Sequence, residues 1–299
     1  MVVNNRHKTN ILSTFSTNEN DINDENLQIL NLNDDQSNTI KHSWQYTVQL
    51  NPITFYDENI GVQIHSEEQV WKETRYILLY KKVLGILNKL TWVNFNELLI
   101  KFQELPIENK ECLENIATIV AFKAFDEHSF GSLYAALCKA LNIRITLQNN
   151  NGAFEITFKR CVINVCQNYF QNECMDYINT NDTSIEHEQV KKRQKLRTIG
   201  CLRFIGELFR KSLLPPSVVH YCISMLQKKK DEKHLEYICN LLRVAGKELN
   251  EKINLRDIFN YLEYLTSEDM RSKISPRIRF FIKDVLEMQL NSVQSQKSN

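Results

Sequence analysis

The sequence predicts an all-α protein, an α-solenoid of about five antiparallel helix pairs, on three observations. Only 7 Gly and 5 Pro punctuate 299 residues, too few for a turn-dense β fold. Apolar residues recur at three-to-four spacing from about Gln69 onward, the signature of amphipathic helices. The periodic segments are short, joined by brief polar turns and about ten in number. Such pairs cannot bury their own faces and need their neighbours in a stack.

Residues 1–43 are rich in Asn, Asp, Ser and Thr and are expected to form a disordered tail, having too little apolar surface to offset chain entropy. Residues 44–68 are more apolar, with Pro52 and Gly61 as breakers. They read as an extended arm or a docking segment. The helical domain is placed at 69–291 and a second tail at 292–299. The first helix carries Ile77, Leu78, Val83, Leu84, Ile86, Leu87 and Leu90. Thr91 is the expected N-cap of the next, which holds Phe95, Leu98, Leu99 and Phe102 before Pro106. Further helices are predicted over 107–125, 129–142, 153–178, 188–213, 216–229, 231–249, 254–265 and 274–290, and no strand. Gly206, inside L-R-F-I-G-E-L-F, costs about 1 kcal/mol relative to Ala in a helix. A closely approaching helix backbone would offset that.

The residues argue against an enzyme. A-F-D-E-H-S-F contains Asp126, Glu127, His128 and Ser129. A phosphate loop with its Lys is absent, and a Ser nucleophile needs a base placed by the fold. The stretch reads as a polar turn between helices with Ser129 as N-cap. His220 and Cys222 belong to different faces of one helix and read as core or semi-buried. The eight Cys form no C-x-x-C pair and read as small core residues of a reducing compartment. No catalytic residue, metal or cofactor is expected. No apolar run reaches membrane-spanning length and the first ten residues lack a signal-peptide core, so a soluble, cytoplasmic protein is expected.

Charge points elsewhere. With 37 basic and 36 acidic residues the net charge is +1, which excludes a uniformly cationic coat and leaves local patches. Lys191, Lys192, Arg193, Lys195 and Arg197 put five cations in seven residues, a candidate phosphate-binding run or a solvated helix face. Lys228, Lys229 and Lys230 end another helix, where cations suit the dipole.

Six blocks then occur in order: VLGILNKLTWVNFNELL (83–99), FKAFDEHSFGSLYAALCKAL (122–141), TFKRCVINVCQNYF (157–170), LRTIGCLRFIGELFRKSLLPPSVVHYCISML (196–226), HLEYICNLLRVAGKEL (234–249) and SPRIRFFIKDVLEM (275–288). Together they resemble the middle domain of eukaryotic translation initiation factor 4G over roughly 70–290. The I-G-E-L-F block is shared with relatives in mRNA decay, splicing and poly(A)-protein binding; I-L-N-K-L-T and R-I-R-F are particular to the 4G branch.

The resemblance implies five HEAT-like helix pairs in a crescent. It also implies binding of initiation factor 4A, a DEAD-box RNA helicase, of mRNA, and of initiation factor 3. It places helicase binding on Leu87, Leu90 and Phe280, residues that a solenoid interior would equally use. Trp92 stands where the family usually has Pro, and with Arg277 and Arg279 it marks a possible partner surface. RNA contact falls to the 191–197 run, the remnant of a charged insertion that is short here. The upstream motif that binds the cap-binding protein has no counterpart in this sequence. A translational regulator, or an adaptor of RNA decay, splicing or poly(A) tails, is the alternative reading.

Overall fold

The computed structural model describes residues 67–149, 152–174 and 185–297. Of the tail expected over 1–43 and the arm over 44–68, residues 1–66 lie outside the described residues, and residues 67 and 68 belong to the first helix. The described part contains ten α-helices, agreeing with the expected solenoid of five pairs.

The helices are α1 (Glu67–Leu87), α2 (Phe95–Gln103), α3 (Lys110–Asp126), α4 (Gly131–Ala140), α5 (Phe158–Tyr169), α6 (Ile185–Arg210), α7 (Pro216–Gln227), α8 (Glu232–Lys252), α9 (Arg256–Leu265) and α10 (Pro276–Lys297). The second helices of successive pairs form a continuous row, α2 on α4, α4 on α6, α6 on α8 and α8 on α10. Opposite them α1 packs on α3 and α3 on α5, while α7 lies along α8 and α9 along α10. The α10 helix runs to Lys297, so residues 292–297, expected in the second tail, extend the last helix.

Helix starts follow local chemistry. Asn109 Oδ1 accepts the Cys112 amide at 2.9 Å to cap α3, and Asp231 Oδ1 accepts the His234 amide at 2.8 Å to cap α8. Thr157 Oγ1 accepts the Arg160 amide at 3.3 Å at the start of α5, and Pro216 opens α7, where a missing N–H costs nothing. At the end of α6 Ser212 takes the left-handed conformation, φ 61°. The Ser212 and Leu213 amides there reach back to the carbonyls of Phe209 and Leu208, closing the helix without a glycine.

One core runs the length of the stack. Phe102, Phe125, Phe158, Phe204, Phe209 and Tyr237 are its largest fully buried side chains, each stabilising by roughly 1.5–3 kcal/mol through removal from water. Phe125 meets Phe204 edge-on at 6.1 Å and tilts against Tyr169 at 5.2 Å. At Gly206 the close neighbour is a side chain rather than the expected helix backbone: an added Cβ would lie 2.9 Å from Val244 Cγ1 on α8. Gly200 is tighter still, because its Cβ would fall 1.8 Å from the Phe125 carbonyl oxygen. Seven Cys are buried free thiols, and burial pushes those of Cys138, Cys161, Cys222 and Cys239 up to about 12.

Several expectations fail here. The helix predicted over 153–178 is preceded by strand: β1 (Arg144–Asn149) and β2 (Gly152–Thr157) form an antiparallel hairpin, with Asn149 opposite Gly152 and Arg144 opposite Thr157. Ile145, Leu147, Phe154 and Ile156 pack against the core while Arg144, Thr146 and Glu155 are exposed, a period of two that overrides a helix. Thr91 is not the residue before α2, which Asn94 occupies. Thr91 and Asn94 instead form a reciprocal box, the Thr91 amide donating to Asn94 Oδ1 at 2.7 Å and the Asn94 amide to Thr91 Oγ1 at 3.4 Å. Ser129 sits inside a 3₁₀ turn, His128–Phe130, and caps nothing. His220 is exposed whereas Cys222 is buried, so only the cysteine is core.

Candidate functional site

The turn from α1 to α2 holds the first group of predicted residues. Leu79, Val83 and Leu87 repeat every four residues, fixing the buried face of α1. Leu87 is 2% exposed and Leu90 4%. Both therefore belong to the core. What the turn exposes is its neighbours, Trp92 at 60% and Val93 at 98%. Trp92 stacks on Phe95 with ring centres 5.9 Å apart, and Lys211 Nζ stands 5.7 Å above its ring. Trp92 thus forms an open ledge with a cation over it.

The basic run occupies the first half of α6. Lys191, Lys192 and Arg193 are exposed. Lys195 and Arg197 are engaged: Lys195 Nζ pairs with Glu236 at 2.7 Å, and Arg197 grips both oxygens of Asp126 at 2.7 and 2.8 Å. The structure therefore splits the five cations into three facing solvent and two that fasten α6 to α8 and α3. The same pairs absorb the acidic stretch considered for chemistry. Asp126 holds Arg197, while Glu127 accepts from the Tyr134 hydroxyl at 2.6 Å and pairs with Lys123.

The last helix holds the third group. Ile278 and Ile282 are fully buried one turn apart, which turns Phe280, between them, outward; it is 68% exposed. Arg277 clasps Glu236 with Nη1 to Oε1 at 3.0 Å and Nη2 to Oε2 at 2.7 Å. Hydrogen bonds from Arg277, and then from Lys195, hold the Glu236 carboxyl below its ordinary range against the opposing effect of burial. Arg279 does not present a surface: it is only partly exposed, and its Nη2 donates to the Thr266 carbonyl at 3.0 Å, bracing the α9–α10 turn. Glu232 completes the brace, accepting the Ser275 amide and hydroxyl, both at 2.7 Å, just before α10 begins. Neither Glu232 nor Glu236 was singled out from the sequence, although Glu236 lies within the block 234–249.

Among the described residues no helix is long and apolar enough to cross a membrane, and no group of His, Cys, Asp and Glu gathers as metal ligands would.

Comparison with known proteins places this geometry. The model of the MIF4G domain matches residues 80–292. The chain is 31% identical over 241 residues to eukaryotic translation initiation factor 4 gamma 3 of Mus musculus, covering 74% of this chain and 15% of that protein. It is 30% identical over 229 residues to eukaryotic translation initiation factor 4 gamma 1 of Mus musculus, covering 70% and 14%. For eukaryotic translation initiation factor 4 gamma 2 of Homo sapiens the identity is 28% over 237 residues, covering 73% and 26%. The chain thus spans between about a seventh and a quarter of the length of these relatives, and the shared part is the helical stack described above. The chain belongs to the MIF4G-domain family, as a middle-domain protein of the initiation factor 4G kind.

Proposed function

We propose that this chain is a non-catalytic scaffold of translation initiation that holds the DEAD-box helicase initiation factor 4A beside mRNA. The observation that carries the reading is Phe280, an aromatic 68% exposed between two fully buried isoleucines. Solvation alone gives no reason for that choice, whereas aromatic anchors dominate binding energy at protein interfaces. The ledge of Trp92 and Val93 supplies a second exposed apolar patch, on the first helix pair rather than the fifth. Two patches on one rigid stack suit a partner of two lobes. Binding both lobes favours whichever relative arrangement fits the spacing, and differential affinity for that arrangement is what stimulates turnover. Leu87 and Leu90 act in this scheme by fixing the turn that carries Trp92.

Lys191, Lys192 and Arg193 are the residues proposed to meet RNA phosphates, since Lys195 and Arg197 are committed to Glu236 and Asp126. Initiation factor 3 is a further proposed partner through the same family likeness, and the cytoplasm is the proposed site of action. The helicase hydrolyses ATP; this chain positions it. The test is the helicase's ATP turnover with RNA present, measured as the full chain is added. Turnover should rise and saturate near one chain per helicase. Unchanged turnover would remove stimulation from the proposal, and a fall would favour a repressor.

A further inference from the structure

The face shared by α6 and α8 holds two arginines with no acid to meet them. The register of the two helices brings them level: an added Cβ at Gly206 would meet Val244, and Arg210 Nε donates to Glu248 at 2.9 Å. Arg203 therefore lies opposite the turn that carries Arg243. Arg243 in turn has its Cζ 5.3 Å from the centre of the Phe281 ring on α10, which keeps the side chain on this face. Arg203 is half-buried and Arg243 is exposed. Burial, and then the charge of Arg243, hold the Arg203 guanidinium below its ordinary range against the opposing effect of Glu207. Glu207 itself meets Arg210, at 3.4 Å. Among the described residues neither Arg203 nor Arg243 has a side-chain hydrogen bond or an ion pair.

The other arginines of these helices are treated differently. Arg197 is held by Asp126, Arg210 by Glu248, Arg277 by Glu236 and Arg279 by the Thr266 carbonyl. Two like charges repel, and a half-buried guanidinium with no carboxylate has lost water without gaining a partner. An anion from outside the chain supplies what is missing, and the guanidinium fork is the group suited to grip it.

The surroundings decide the class of anion. Lys192 precedes Arg203 by eleven residues, three turns and about 16 Å along α6, and so lies on the same stripe of the helix. Lys247 is one turn beyond Arg243 and is exposed. Cations spread over such a length suit a chain of phosphates, whereas one acidic side chain satisfies one position and leaves the others bare.

We infer that Arg203 and Arg243 bind backbone phosphates of a single RNA strand that passes from Lys192 along α6 and onto α8. This rests on the RNA contact proposed for residues 191–193 and extends it to a second helix. Phosphate contacts carry no sequence information, so these two arginines add affinity and set the strand's path.

Salt-dependent binding of a labelled uridine homopolymer to the full chain tests it, read by fluorescence anisotropy. Arg203→Gln combined with Arg243→Gln should weaken binding and flatten the log–log salt slope by about 1.4, as two lost phosphate contacts on a single strand require. Arg203→Lys combined with Arg243→Lys should keep the slope, because Lys remains charged. The Gln pair should also leave the thermal midpoint of the free protein unchanged or higher, since it removes a repulsion and no bond. A wild-type slope in the Gln pair, with a flatter one when residues 191–193 are Ala, would overturn this inference and leave the 191–193 contact standing. A wild-type chain that does not bind the polymer would overturn both. An unchanged slope together with weaker binding of initiation factor 4A would overturn it and assign the two arginines to an acidic surface of that protein.

Discussion

Glu236 on α8 receives both arms of the Arg277 guanidinium, at 3.0 and 2.7 Å, while Lys195 of α6 reaches the same carboxylate at 2.7 Å. One acid therefore joins three helices that belong to three successive pairs. Its side chain is 10% exposed whereas that of Arg277 is 64% exposed, so the cations are partly screened and the carboxylate is the member that must not be left alone.

Glu236→Gln should cost about 1–2 kcal/mol at neutral pH, a charged hydrogen-bond value discounted for the exposure of Arg277. Because the native carboxyl titrates below its ordinary value, the native state binds fewer protons than the unfolded chain in that range. The contribution is complete above the ordinary glutamate pKa of about 4.3 and is lost as pH falls through the lowered native value. Urea unfolding of wild type and variant should show a constant gap above that range, closing toward acid. A gap that widens toward acid would contradict this account.

The two glycines of α6 should respond unequally. Gly200→Ala drives a methyl into the Phe125 carbonyl, a backbone group with little freedom to shift, and should destabilise by about 3 kcal/mol as an overpacked site does. Gly206→Ala meets the side chain of Val244 at 2.9 Å, which has some freedom to shift, and Ala regains about 1 kcal/mol of helix propensity. Thermal denaturation should rank Gly200→Ala well below Gly206→Ala, with Gly206→Ala nearer the wild type.

The buried thiols should be chemically silent. Desolvation raises Cys138, Cys161, Cys222 and Cys239 to about 12, and a thiol rather than a thiolate is a poor nucleophile. With Ellman's reagent at pH 8, the seven described cysteines should react only after denaturant is added. Rapid reaction of more than one thiol in the folded chain would show that the core opens readily.

If Lys191, Lys192 and Arg193 contact phosphates, replacing all three with Ala should flatten the salt dependence of single-stranded RNA binding. Three contacts correspond to a change of about 2 in the log–log slope. Arg197→Ala should leave the slope near wild type and lower stability instead, because its partner is Asp126.

Helix number and pairing were readable because burial imposes a period of 3.6 that short polar turns interrupt, as with Leu79, Val83 and Leu87. The hairpin has a sequence signal too. Ile145 and Leu147 alternate with polar residues, three asparagines and Gly152 follow, and Phe154 and Ile156 resume the alternation, a hairpin signal by composition and spacing. Phe280 shows what periodicity yields when it is applied fully. With Ile278, Ile282 and Val285 on one stripe, position 280 falls about 200° round the helix from 278 and has to face outward. Leu87 and Leu90 could not be resolved that way, since apolar spacing alone does not distinguish a core leucine from one on a partner surface. The pairing of Lys195 with Glu236 and of Arg197 with Asp126 joins residues 41 and 71 positions apart, and no local pattern encodes such contacts.

The most direct test is the dissociation constant of purified initiation factor 4A for the full chain, wild type and Phe280→Ala, with RNA and nucleotide held constant. Circular dichroism should confirm an unchanged fold, since Phe280 contributes little to the core. Loss of an exposed aromatic anchor is worth about 1.5–2 kcal/mol, so binding should weaken about tenfold or more. Equal affinity of the two proteins would contradict the claim that the outward face of α10 holds the helicase.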